Sequence, residues 1–218
     1  SSDVCSSDLN TQIFRDAFRF ARSLYVARIA EFFSSFGADL LLAYFFSTAE
    51  SGLYRIGSRL AVAGTDLIVL PLRGYATKTF ASAARKGHDL SQHFADYIIA
   101  GLILISGTCV VVLAFGESAV SLAFGADYLG AVMVMHLFVL RAVLHWPQHL
   151  LEPLLTARQR PTIVMIHNTI WLCIALLSIL LFAPFGMSHL AWSQTLIAGV
   201  MSSSALYVAW RWGGIHLD

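Results

Sequence analysis

Leu53–Tyr75 reads LYRIGSRLAVAGTDLIVLPLRGY, a stretch long and apolar enough to cross a membrane that nevertheless carries Arg55, Arg59, Asp66 and Arg73. At roughly 100° per residue these four fall at about 0°, 40°, 20° and 0° around a helix, so they form one narrow stripe. From Arg55 to Arg73 the stripe rises about 27 Å, close to the hydrocarbon thickness of a bilayer. A charge facing lipid costs on the order of 2.5–3.5 kcal/mol even on lenient insertion scales. The row must therefore face protein or water, and it predicts a polar cavity within the membrane.

The rest of the chain agrees with a membrane setting. Of 218 residues, 57% are hydrophobic and only 12% charged, and the mean hydropathy is +0.70. Soluble domains carry roughly twice that share of charge. The composition excludes a soluble globular domain and predicts an all-α integral membrane protein. Net charge is +1, and no basic run is dense enough to make nucleic acid a partner. Cys109 and Cys173 sit in apolar runs and Cys5 in the leading tail, so no disulfide framework or CxxC metal site is offered.

Residues 1–9, SSDVCSSDL, lack the basic region, apolar core and cleavage site of a signal peptide. They resemble the translation of a short-read sequencing adapter, and the chain from residue 10 is read as part of a longer protein. Hydropathy then predicts a bundle of six transmembrane helices at about 23–46, 53–76, 97–115, 130–151, 162–183 and 189–210. The links between them are read as Ser47–Gly52, a long polar Thr77–Asp96, Gly116–Leu129 and a turn over Glu152–Pro161. Pro71 is expected to bend the second span, and Pro147 to break the fourth. If the spans alternate, Arg15, Arg19, Arg22, Lys78, Arg85, Lys86, Arg158, Arg160 and Arg211 share one side, which places both ends in the cytoplasm. The opposite side has Glu50, Glu117, Asp127 and Arg55 near its edge.

Candidate site residues come from charges inside the spans. In the first, Arg28, Glu31 and Asp39 lie within roughly an 80° arc. Arg28 and Glu31 could neutralise each other, while Asp39 has no local partner. Arg28, Arg59 and Arg141 belong to three different spans, and guanidinium groups make bidentate bonds to phosphate oxygens. They are the candidate substrate-binding residues, for an anion such as a pyrophosphate. Glu31, Asp39 and Asp66 are the candidate ion-coupling acids. The alternative is that each arginine closes an interhelical salt bridge with one of these acids. Arg141, His145, His149 and Glu152 share a face with metal-ligand spacing, but the expected break at Pro147 counts against a metal, and none is assigned. No stretch carries a GxSxG, HExxH or glycine-rich phosphate motif, so neither an enzyme nor a cofactor is expected.

FFSTAESGLYRIGSR, Phe45–Arg59, resembles the helix-end signature of polysaccharide-biosynthesis flippases through Gly52, Tyr54 and Arg59. AFGADYLGA, with Phe124, Gly125, Tyr128 and Ala131, is similar to that family's link before its tenth helix, and LLTARQRP to the basic turn after it. The resemblance implies membership of the multidrug/oligosaccharidyl-lipid/polysaccharide exporter superfamily, in which two six-helix lobes enclose a cationic cavity. The chain would be the second lobe, facing a missing N-terminal lobe in the bacterial cytoplasmic (inner) membrane. It would carry a polyprenyl-pyrophosphate-linked oligosaccharide to the periplasmic leaflet by alternating access, driven by an ion gradient. Arg28, Arg59 and Arg141 would then contact pyrophosphate or sugar, and Asp39 and Asp66 would bind the coupling ion. Three alternatives stand beside it: a related multidrug exporter, an integral-membrane polysaccharide polymerase or acyltransferase, and a structural membrane subunit whose charges pair off.

Overall fold

The computed structural model describes residues 17–18, 21–30, 32–33 and 41–215. Helical segments at 21–30, 32–33 and 41–45 precede five long helices. These are α1 (Thr48–Arg85), α2 (Ser91–Phe124), α3 (Gly130–Ala157), α4 (Pro161–Phe182) and α5 (Met187–Gly213). Single turns of tighter helix, Ala126–Tyr128 and Ala183–Phe185, lead into α3 and α5. Among the described residues there is no strand.

Three helical stretches, Ser91–Phe124, Gly130–Ala157 and Pro161–Phe185, are long and apolar enough to cross a membrane. The first expected span, 23–46, is only partly described, with residue 31 and residues 34–40 outside the described set. The expected second and sixth spans fall within α1 and α5. Both are more polar, α1 through its stripe of charges and α5 through Ser193, Gln194, Thr195 and Ser202.

The helices overrun the expected spans, and the links shrink accordingly. Thr77–Asp96 is mostly helix, because α1 continues to Arg85 and α2 begins at Ser91. Hydropathy marks where lipid ends, but ATKTFASAARK has neither glycine nor proline to stop a helix that continues into water. At its other end α1 begins at Thr48, inside the expected link. Ser47 Oγ accepts from the Glu50 N–H at 3.3 Å and Glu50 Oε2 accepts from the Ser47 N–H at 3.2 Å, a reciprocal cap already spelled by S-T-A-E. Nor does Pro147 break its helix, since α3 passes through both Pro147 and Pro153. Buried among neighbouring helices, a proline's missing hydrogen bond is tolerated in a membrane segment. α1 likewise continues through Pro71.

Cross-helix contacts fix the directions. Tyr54 meets Phe138 edge to face at 5.5 Å and Arg73 meets Glu152 at 2.5 Å, so α1 and α3 run parallel. Gly116 lies against Met135 and Gly101 against Trp146, so α2 is antiparallel to α3. Gln148 bonds Asn168 while His145 stacks on Trp171, which makes α4 antiparallel as well. Thr195 Oγ1 donates to the Leu137 carbonyl at 3.1 Å and Gly213 lies against Leu154, so α5 is parallel to α3. α3 is thus the helix that the other four surround. The shared direction of α1, α3 and α5 gathers Arg85, Lys86, Arg158, Arg160 and Arg211 at one end of the bundle. There Arg158 Nε donates to the Gly213 carbonyl at 3.0 Å.

Trp146 is fully buried beside Phe80, Phe94, Ile105, Leu150 and Leu154, and its Nε1 donates to the Tyr97 carbonyl at 3.1 Å. It fits because position 101 has no Cβ: one built there would overlap the indole ring. Gly101→Ala should lower stability by about 2–3 kcal/mol, the upper range for overpacking against a ring that cannot bend away. Gly107→Ala, with open space around it, should be nearly neutral, and thermal melting of both variants in detergent checks the contrast. Equal melting temperatures would show that the Trp146 contact is not tight.

Candidate functional site: a charged cavity between α1 and α3

Three of the four charges in the α1 stripe, Arg59, Asp66 and Arg73, line a cavity of about 330 Å³. Ser58, Val62, Thr65 and Val69 fill the positions between them on the same face, as the three- and four-residue spacing of a helix requires. Arg55 is exposed and lies outside the lining. Among the described residues the Asp66 carboxylate has neither an ion pair nor a hydrogen bond.

α3 supplies the facing wall with Arg141, His145, Gln148, His149 and Glu152. The Arg141 guanidinium lies 5.1 Å over the Phe138 ring, which in turn meets Tyr54. Such a contact stabilises a cation in a dry site without neutralising it. His145 stacks on Trp171 at 5.4 Å between centroids and meets His149 edge to face at 5.0 Å. The two histidines weighed above as metal ligands are therefore engaged in ring contacts.

Glu152 closes one end of the cavity. Its Oε2 lies 2.5 Å from Arg73 Nη2 and its Oε1 2.8 Å from Arg28 Nη2, one carboxylate held between two guanidinium groups. The Arg73 and Glu152 side chains are 14% and 16% exposed, whereas Arg28 is 54% exposed. The sequence reading put Glu152 in a turn. It lies instead in the penultimate turns of α3, which runs on to Ala157.

The remaining wall is an amide network. Gln148 Nε2 donates to Asn168 Oδ1 at 3.2 Å and lies 3.2 Å from His167 Nδ1, and His167 Nε2 lies 2.9 Å from Ser204 Oγ. Gln194 Nε2 donates to Ser178 Oγ at 2.6 Å, joining α5 to α4. These groups tie α3, α4 and α5 together behind the charges.

Of the candidates named from sequence, Arg59, Asp66 and Arg141 come together in this cavity. Arg28 reaches its rim through Glu152, a partner in a distant helix. Glu31 and Asp39 lie outside the described residues. Sequence reasoning passed over Arg73 and Glu152 as a pair, and over Gln148, Asn168 and Gln194 entirely. A signal existed for the amides: polar side chains deep in otherwise apolar spans mark protein-facing positions. The residues of the family-like motifs have structural places. Tyr54 packs on Phe138, Phe124 and Tyr128 meet across the α2–α3 turn at 6.0 Å, and Ala131 is buried against Gly57.

An all-helical bundle with membrane-length apolar helices around a charged cavity is a membrane protein. A family model described as "Polysaccharide biosynthesis protein" matches residues 4–133, more than half of the chain. The chain belongs to the polysaccharide biosynthesis protein family. The match takes in the α1 wall with Arg59, Asp66 and Arg73, and it ends in the first turn of α3, before Arg141 and Glu152. No curated protein and no solved structure matches the chain.

Removing one partner of a largely buried pair costs up to about 3–5 kcal/mol, whereas an exposed partner contributes about 1 kcal/mol or less. Glu152→Ala should therefore lower the melting temperature in detergent far more than Arg28→Ala. Equal losses would mean that the exposed Arg28–Glu152 bridge, and not the buried Arg73–Glu152 pair, carries the stabilisation.

Proposed function

We propose that the protein is a flippase that moves a polyprenyl-pyrophosphate-linked oligosaccharide from the cytoplasmic to the periplasmic leaflet of the bacterial inner membrane for surface polysaccharide assembly. The observation that carries this reading is the cavity lined by Arg59, Arg73 and Arg141 against Asp66 and Glu152. Its lining is net cationic, and an apolar setting strengthens its pull on a phosphate anion. Family membership supplies the polysaccharide context.

In this reading the chain is a lobe of six transmembrane helices with both ends cytoplasmic. The basic residues gathered at the ends of α1, α3 and α5 support that orientation. A second lobe of the same protein closes the cavity, and surrounding membrane lipid takes up the prenyl tail. Arg59 and Arg141, with Arg28 at the rim, contact the pyrophosphate or its sugar. Asp66, a carboxylate in the same cavity with no ion pair among the described residues, takes the coupling proton or sodium. The protein works by binding and conformational exchange, without a catalytic group. A multidrug exporter would favour an acidic pocket for cations, which the arginines oppose.

The test is a paired one in cells. Arg59→Ala in the complete protein should reduce export of surface polysaccharide at least tenfold while membrane insertion stays normal, since a lost charge-assisted contact is worth about that factor. Asp66→Asn should leave binding intact and flatten the dependence of transport on the ion gradient. Full export by the first variant, or an unchanged gradient dependence in the second, removes that residue from its assigned role.

A further inference from the structure

Glu152 stands where an anionic ligand would stand. It lines the cavity, and its two oxygens take one guanidinium nitrogen each from Arg73 and Arg28 at 2.5 and 2.8 Å. A phosphate group offers the same acceptor geometry to the same pair of donors. We propose that Glu152 is an internal counter-anion, which occupies the Arg28–Arg73 fork in the empty cavity and is displaced by the pyrophosphate group of the incoming lipid. This rests on the reading of the cavity as a pyrophosphate-lipid site.

The chemistry explains why such a placeholder is useful. Guanidinium groups left facing one another across an apolar bundle repel, and neither can shed its proton. A carboxylate between them stabilises the empty state. Its displacement is easier for a ligand that brings its own negative charge than for a neutral glycan or prenyl chain. Exposure favours such an exchange. Arg28 is 54% exposed, so one side of the fork is already accessible, while Arg73 and Glu152 are held inside. The fork ties α1 and α3 to the leading helical segment 21–30, so its opening also frees those elements to move relative to one another. Glu152 is thus a positioning residue, acting through Arg73 and Arg28.

The proposal predicts a direction that a ligand-contacting acid or a purely structural acid would not give. The full chain in nanodiscs is titrated with undecaprenyl pyrophosphate and, separately, with inorganic pyrophosphate, and affinity is read from the ligand-induced rise in melting temperature. Glu152→Gln should melt lower than the wild type when empty, yet bind undecaprenyl pyrophosphate about tenfold more tightly, because the ligand no longer competes with a carboxylate. Equal or weaker binding overturns the counter-anion role. A gain for inorganic pyrophosphate alone overturns the lipid as the displacing ligand. Should Glu152→Gln fold poorly, Glu152→Asp serves, since its shorter side chain holds the fork less closely. It should gain affinity by a smaller factor, and no gain overturns the proposal. If neither probe binds the wild type or the variants, the pyrophosphate-lipid reading itself falls. Binding that is the same in all forms sinks only the role of Glu152.

Discussion

Burying a guanidinium or a carboxylate alone among apolar helices is costly, and the pairing of Arg73 with Glu152 offsets that cost for both side chains. Their contact, with Arg28 on the outer side, fixes one end of the α1–α3 interface. The other end is fixed by a different force, the edge-to-face packing of Tyr54 on Phe138 with Arg141 laid over that ring. Between these two clamps the helices run parallel in close contact, and the cavity lies along one side of their interface, with its lining residues on both helices falling between the clamped positions.

The other helices hold that arrangement from behind. Trp146, locked against Gly101 and bonded to Tyr97, anchors α3 to α2 on the side away from the cavity. On the cavity side Gln148, Asn168 and His167 knit α3 to α4, and Gln194 joins α5 to Ser178. Hydrogen bonds between amides in an apolar surrounding are directional, so they set helix rotation as well as distance. The charged wall is presented by a helix whose remaining faces are committed to apolar packing and amide bonds.

Much of this was legible in the sequence, and the exceptions have physical causes. The stripe on α1 could be read because a helix repeats its faces regularly and charge in an apolar segment is costly; three of its four members do face a cavity. Arg55 departs because it lies in the second turn of α1, where exposure costs little. The helices extend past the expected spans because hydropathy marks only the apolar stretch, and α1 and α2 continue beyond it as polar helix. The S-T-A-E cap at Ser47 was a local signal that hydropathy overrode. The Arg28–Glu152 and Arg73–Glu152 pairs join residues 124 and 79 positions apart, and no local periodicity reports a contact across that separation. Glu31, the acid one turn from Arg28, lies outside the described residues. Arg28 reaches Glu152 because the leading segment 21–30 packs beside the end of α3.

The central claim is that this cavity takes the anionic head of a lipid-linked saccharide through the membrane. It is tested most directly in proteoliposomes containing the complete protein and a polyprenyl-pyrophosphoryl oligosaccharide with a fluorophore on its sugar. A membrane-impermeant reductant is added outside under an imposed proton or sodium gradient. If the account is right, fluorescence from the inner leaflet is lost as the lipid is carried outward, well beyond the loss in protein-free vesicles. The same inner-leaflet fraction surviving with and without the protein would contradict it.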